Sequence, residues 1–164
     1  MKQIFIILMY LSAVVIANLT VAHFGTMAVL PVAFVLIGFD LTARDYLHEV
    51  WQGKLWLRMF LLIGSGSLLS WVLNRDAGQV ALASFLAFAG AGLVDTIIYS
   101  ILHKRLFLIR VNGSNLFSSF TDSALFLTIA FNSFMPFLIM QQFAVKVGGG
   151  FLWSLALSKF RERK

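Results

Sequence analysis

A chain of 164 residues that is 60% hydrophobic and only 12% charged, with a mean hydropathy of +0.88, lies far from soluble domains, which are about 45–50% apolar and about 25% charged. The length allows about six membrane spans of roughly 20 residues and leaves little for a soluble domain. With no cysteine, disulfides, thiolate metal sites and cysteine nucleophiles are excluded.

The first apolar segment, Ile4 to Leu19, follows Lys2 and has the look of a signal-peptide core. Similar segments follow it and no clear small-residue cleavage site does, so it is read as a retained first helix, Gln3 to Ala22. The second helix begins near Thr26. Its apolar part, Met27 to Phe39, is only ~13 residues and too short to span alone. The pattern continues through 40–51, where Leu41, Leu47 and Trp51 share one apolar face, so a long helix with a polar side is expected. Helix three is predicted over Leu55 to Leu73, helix four over Val80 to Leu102, helix five over Leu116 to Phe134 and helix six over Phe137 to Leu157. The segments 74–78 and 112–114 read as turns, and Pro136 is expected to break the chain between the last two helices. The fold class is an all-α integral membrane protein, a compact bundle of six transmembrane helices forming one domain.

The formal charge of +6 and pI near 10.1 do not point to nucleic acid, because the basic residues fall into clusters between apolar segments and form no contiguous face. Lys2, the Arg44/Lys54/Arg58 region, the His103–Arg110 loop and the Lys159–Lys164 tail lie on one side. The other side carries the His23–Thr26 connection, Arg75 with Asp76, and an uncharged turn at 132–136. Basic loops face the cytoplasm, so both termini are expected there, in the inner membrane.

Three aspartates, Asp40, Asp95 and Asp122, interrupt three different apolar stretches. A carboxylate at mid-bilayer costs roughly 2.5–3.5 kcal/mol even on insertion scales. At ~1.5 Å per residue, Asp40 lies ~20 Å and Asp95 ~22 Å below the outer starts of their helices, and Asp122 ~10 Å above the inner start of its own. All three fall in the cytoplasmic half of a core ~30 Å thick, a level at which helices can enclose one polar site. Asp40 and Arg44 form an i,i+4 pair that can neutralise itself. Asp95 and Asp122 have no such neighbour and are the better ligand contacts. Lys146, with no basic residue within ten positions, is a counter-charge for one of them.

Around these charges the bland and the functional readings compete. Ala83, Ala87, Ala91 and Asp95 lie along one helical face, which serves packing or a groove. Asn115, Ser118, Ser119 and Asp122 form a polar run that should face protein or water, for interhelical hydrogen bonding or for a ligand. Gly148-Gly149-Gly150 permits unwinding or close helix contact. Catalytic templates are missing: there is no Gly-x-Ser-x-Gly, His-Glu-x-x-His or phosphate loop, and the three histidines share no ligand spacing. An enzyme is not expected, and no cofactor or metal is called for.

Ala17-Asn18-Leu19-Thr20-Val21-Ala22-His23-Phe24-Gly25 resembles the Ala-Asn…Phe-Gly segment in the first helix of the queuosine precursor transporters, formerly labelled a vitamin uptake (VUT) family. Thr42-Ala43-Arg44-Asp45-Tyr46-Leu47 looks like that family's Arg-Asp signature. Ala83-Ser84-Phe85-Leu86-Ala87-Phe88 with Asp95 and Tyr99 is similar to its fourth helix. Asn115 with Asp122, Phe126, Ala130 and Phe131 resembles the fifth, and Lys146 falls where the sixth often carries Lys. The likeness is collinear over most of the chain. Two departures are Gln52, which displaces to Gly53 a glycine expected after the second-helix signature, and the triple glycine, which stands where bulkier residues are expected.

The resemblance implies a six-helix importer of 7-cyano-7-deazaguanine or a related 7-deazapurine for tRNA modification. Such a ligand presents an amide N–H beside an amine, which one carboxylate can accept bidentately. Asn18, Asp40, Asp95, Asn115, Asp122 and Lys146, with Arg44 and Asp45 of the signature, are the candidate polar contacts, and Phe88, Tyr99 and Phe126 the candidate stacking faces. The expected partners are this small molecule and the lipid bilayer, with a homo-oligomer compatible with the sequence. Two rival readings are a substrate-binding membrane subunit that needs a separate ATPase complex, for which the alanine face could be a docking surface, and a membrane assembly protein whose buried charges only mate helices.

Overall fold

The computed structural model describes residues 2–37, 39, 47, 55–102 and 107–161. Among them every regular element is helical. α1 (Lys2–Phe24) turns at Gly25 into α2 (Thr26–Val32), which widens into a π-helical turn, Ala33–Ile37. Pro31 lies inside α2. It has no N–H to give the preceding turn and its ring crowds that turn's carbonyl, and the wider helix follows it directly. α3 (Leu55–Leu73), a short 3₁₀ segment (Arg75–Ala77), α4 (Gly78–Ile101), α5 (Phe107–Phe131) and α6 (Pro136–Arg161) complete the bundle.

The α3–α4 corner is held by local chemistry. The Asn74 side chain accepts the Asp76 N–H at 3.0 Å, the side-chain-to-backbone turn that Asn favours. The Arg75 guanidinium sits 4.0 Å over the Trp71 ring. Gln79 then ties the start of α4 to the end of α5 by donating to the Ile129 carbonyl at 2.9 Å.

Two expectations about helix ends need correction, and the break expected at Pro136 is found. Asn112-Gly113-Ser114 is not a turn but part of α5. A Cβ at Gly113 would stand 2.8 Å from Leu102 Cδ1, the tip of a flexible side chain just past the end of α4. α5 ends at Phe131 rather than Phe134 because Asn132 takes the left-handed conformation, φ 48°, in which Asn often stops a helix. Pro136 opens α6 rather than merely breaking the chain, since at the first helical position its missing N–H is no loss.

α4 and α5 pack along most of their lengths, α1 lies against α3 and α2, and α6 lies against α5 and the π-helical turn. The face Ala83–Ala87–Ala91 is buried, with Ala83 in a core cluster that also holds Leu127 and Ala130 of α5. Small side chains there let the two backbones come close. A second cluster gathers Tyr10, Val14, Met59, Leu62 and Phe88 around Leu47, placing that residue of the 40–51 stretch inside the bundle; Leu41 and Trp51 lie outside the described residues.

The outer faces are apolar. Ile4, Phe5 and Leu8 on α1, Leu57, Leu61 and Leu68 on α3, and Leu82, Leu93 and Ile97 on α4 are all exposed. Among the described residues, Ile4–Phe24 and Arg75–Ile98 are long and apolar enough to cross a membrane, and Thr26–Ile37 and Leu57–Leu73 are shorter apolar helices. α5 and α6 are interrupted by the polar residues from which the site is built.

Candidate functional site

Between the two core clusters lies a cavity of about 700 Å³ of atom-free space, counting the part open to solvent, of which about 70 Å³ admits the centre of a water molecule. All six helices reach it. α1 contributes Tyr10, Val14, Ala17, Asn18 and Val21, a single face at helical spacing. α2 and its π-helical turn supply Val29, Val32 and Ile37, and α3 supplies Ile63. The last three helices each add a pair one turn apart: Ser84 with Phe88, Asp122 with Phe126, and Gln142 with Lys146. The i,i+4 spacing makes each pair point the same way, and these pairs add polar and aromatic groups to a wall that is otherwise mostly aliphatic.

The charged centre is Lys146. Its ammonium is buried and donates to Asp122 Oδ2 at 2.5 Å, which singles out Asp122 as its counter-ion among the described aspartates. Lys146 Nζ also lies 6.0 Å from the Phe126 ring centroid, at the outer reach of a cation–π contact. The lysine is only 4% exposed against 27% for Asp122. The carboxylate therefore keeps an open side while the ammonium has none.

Asn18 is held by a relay. Its Nδ2 donates to Ser70 Oγ at 3.1 Å, and Ser70 in turn donates to the Gly66 carbonyl at 2.8 Å. Both side chains are buried, so the relay fixes the amide in the cavity wall. Gln142 has no such anchor among the described residues: its Oε1 is buried without a hydrogen-bond partner there.

The structure thus brings Asn18, Phe88, Asp122, Phe126 and Lys146 together around one cavity. Asp95 and Asn115 are not in its wall. Asp95 is half-buried, with Oδ1 lacking a partner among the described residues. Asn115 is exposed, and its carbonyl accepts the Ser118 hydroxyl at 3.2 Å. Asp40, Arg44, Asp45 and the Tyr99 side chain lie outside the described residues. Tyr10 and Gln142 are not among the sequence candidates, and Ser84 figures there only within the fourth-helix motif. A weak cue for Gln142 is that it precedes Lys146 by four residues in an apolar helix.

Six helices thus converge on a largely apolar cavity whose wall holds an ion pair with a buried lysine. The chain belongs to a transporter family: the family model described as "Putative vitamin uptake transporter" matches residues 3–158. No curated protein and no solved structure matches the chain.

Proposed function

We propose that the protein carries 7-cyano-7-deazaguanine or a related 7-deazapurine into the cell across the inner membrane, acting as a carrier rather than an enzyme. The observation that carries this reading is the Asp122–Lys146 pair in the cavity wall, flanked by Phe88, Phe126 and Asn18. The open side of Asp122 suits the exocyclic amine of a guanine-like ring, the ammonium suits a nitrile, and the phenylalanines suit a flat ring. Membership of a transporter family supports the transport role. The apolar outer faces of α1, α3 and α4 suit contact with lipid, and the clustering of basic residues supports cytoplasmic termini.

The alanine face of α4 is buried inside the bundle, which counts against its use as a docking surface for an ATPase complex and favours a chain that works alone. The test is restoration of queuosine in tRNA in cells unable to make the deazapurine, supplied with candidate precursors, with and without this gene. Rescue by 7-cyano-7-deazaguanine is expected. No rescue by any precursor despite good membrane expression would sink the substrate assignment.

A further inference from the structure

Gln142 is the one cavity-lining amide left without an anchor. It is only 3% exposed and its Oε1 has no partner among the described residues. Buried polar atoms in folded proteins are nearly always paired, so an orphan of this kind calls for an explanation. Its neighbours do not supply one. Lys146, one turn along, is engaged by Asp122, and Asn18 across the cavity is engaged by Ser70. Packing does not require an amide here either, since a methionine would fill the same volume without stranding a polar atom.

A carboxamide carries one acceptor and one donor in a single plane. The partner that satisfies both at once is a flat edge with a donor beside an acceptor, the geometry by which Gln reads a base edge. A carboxylate ligand would use only the N–H₂ end and an ammonium ligand only the oxygen. We propose that Gln142 is a ligand-recognition residue that pairs with the lactam edge, N–H beside C=O, of an uncharged planar heterocycle lying between the Gln142 and Phe126 sides of the cavity. This rests on the transport reading above and deepens it: within that reading, Gln142 addresses the ring carbonyl and its neighbouring N–H, which leaves the pair Asp122–Lys146 to the rest of the ring.

The test is a cycle of two ligands and two proteins, read as equilibrium binding to purified protein in detergent. The ligands are 7-cyano-7-deazaguanine and its O6-methyl derivative, which has lost the lactam N–H. O6-methylation is expected to weaken binding to the wild type by about tenfold, the loss of one buried polar pairing. With Gln142→Met it is expected to matter by less than about twofold, because the variant cannot read that edge. The ligand-free Gln142→Met protein should also melt at a higher temperature than the wild type, since it no longer buries an orphaned amide. Gln142→Leu, which likewise has neither donor nor acceptor, serves in place of the methionine variant if that one does not fold. An O6-methyl penalty that is the same in wild type and variant overturns the role of Gln142 while leaving the transport reading standing. Failure of the folded wild type to bind either ligand overturns the transport reading, and this inference with it.

Discussion

Lys146 on α6 and Asp122 on α5 meet at 2.5 Å, with the lysine almost wholly buried and the aspartate about a quarter exposed. The asymmetry has a consequence. Removing one partner of a buried pair strands the other charge, and here the two orphans differ. An unpaired Asp122 can still be hydrated; an unpaired Lys146 cannot.

Asp122→Asn is therefore expected to destabilise the protein more than Lys146→Met does. The fully buried limit for breaking such a pair is about 3–5 kcal/mol, and partial exposure of Asp122 lowers the expectation to roughly 2–3 kcal/mol for Asp122→Asn and about 1 kcal/mol for Lys146→Met. The double variant should be more stable than Asp122→Asn alone. Thermal melts in one detergent check the order.

Asp95 should behave in the opposite way. Its Oδ1 is buried with no partner among the described residues, so Asp95→Asn removes a poorly solvated charge and forfeits no contact seen there. The expected result is a melting temperature equal to or above that of the wild type and ligand affinity within about twofold. A loss of binding comparable to that of Asp122→Asn would put Asp95 in the site.

The triple glycine separates into distinct roles. A Cβ at Gly149 would stand 2.6 Å from the Phe34 carbonyl oxygen in the π-helical turn, whereas one at Gly148 would meet nothing within 4 Å. Gly149→Ala forces backbone apart, a strain of about 1–3 kcal/mol that outweighs the ~0.5–1 kcal/mol a helix gains on replacing glycine. Gly148→Ala keeps only the gain. Opposite shifts in melting temperature are expected from these neighbouring substitutions.

Ser70→Ala tests the relay behind Asn18. It leaves the buried Asn18 Nδ2 without its acceptor, at a cost of about 1–3 kcal/mol. Ser70 is not in the cavity wall, so the accompanying fall in ligand affinity would reflect loss of orientation at Asn18. Ser70→Thr, which keeps the hydroxyl, should restore affinity.

How legible the molecule was in its sequence varied by feature. The helices were readable from apolar runs, because length and composition are local properties. Helix ends were not always so. Gly113 and Pro136 carry turn signals, yet one lies within α5 and the other starts α6; which role a glycine or proline plays is not set by the local signal alone. Asp122, Phe126 and Lys146 stood out as polar or aromatic residues on the right helices, but the choice of Asp122 over Asp95 as partner for Lys146 depends on how α5, α4 and α6 pack. Gln142 is not legible in the sequence because an uncharged amide beside Gln141 is unremarkable until its surroundings show an Oε1 with no partner among the described residues.

The most direct measurement is uptake of radiolabelled 7-cyano-7-deazaguanine by lipid vesicles containing this chain alone. Wild-type vesicles are expected to take up label faster than protein-free ones, with Asp95→Asn close to wild type and Asp122→Asn slower by about tenfold or more. Uptake by folded, correctly inserted wild-type protein no faster than by empty vesicles would contradict the account.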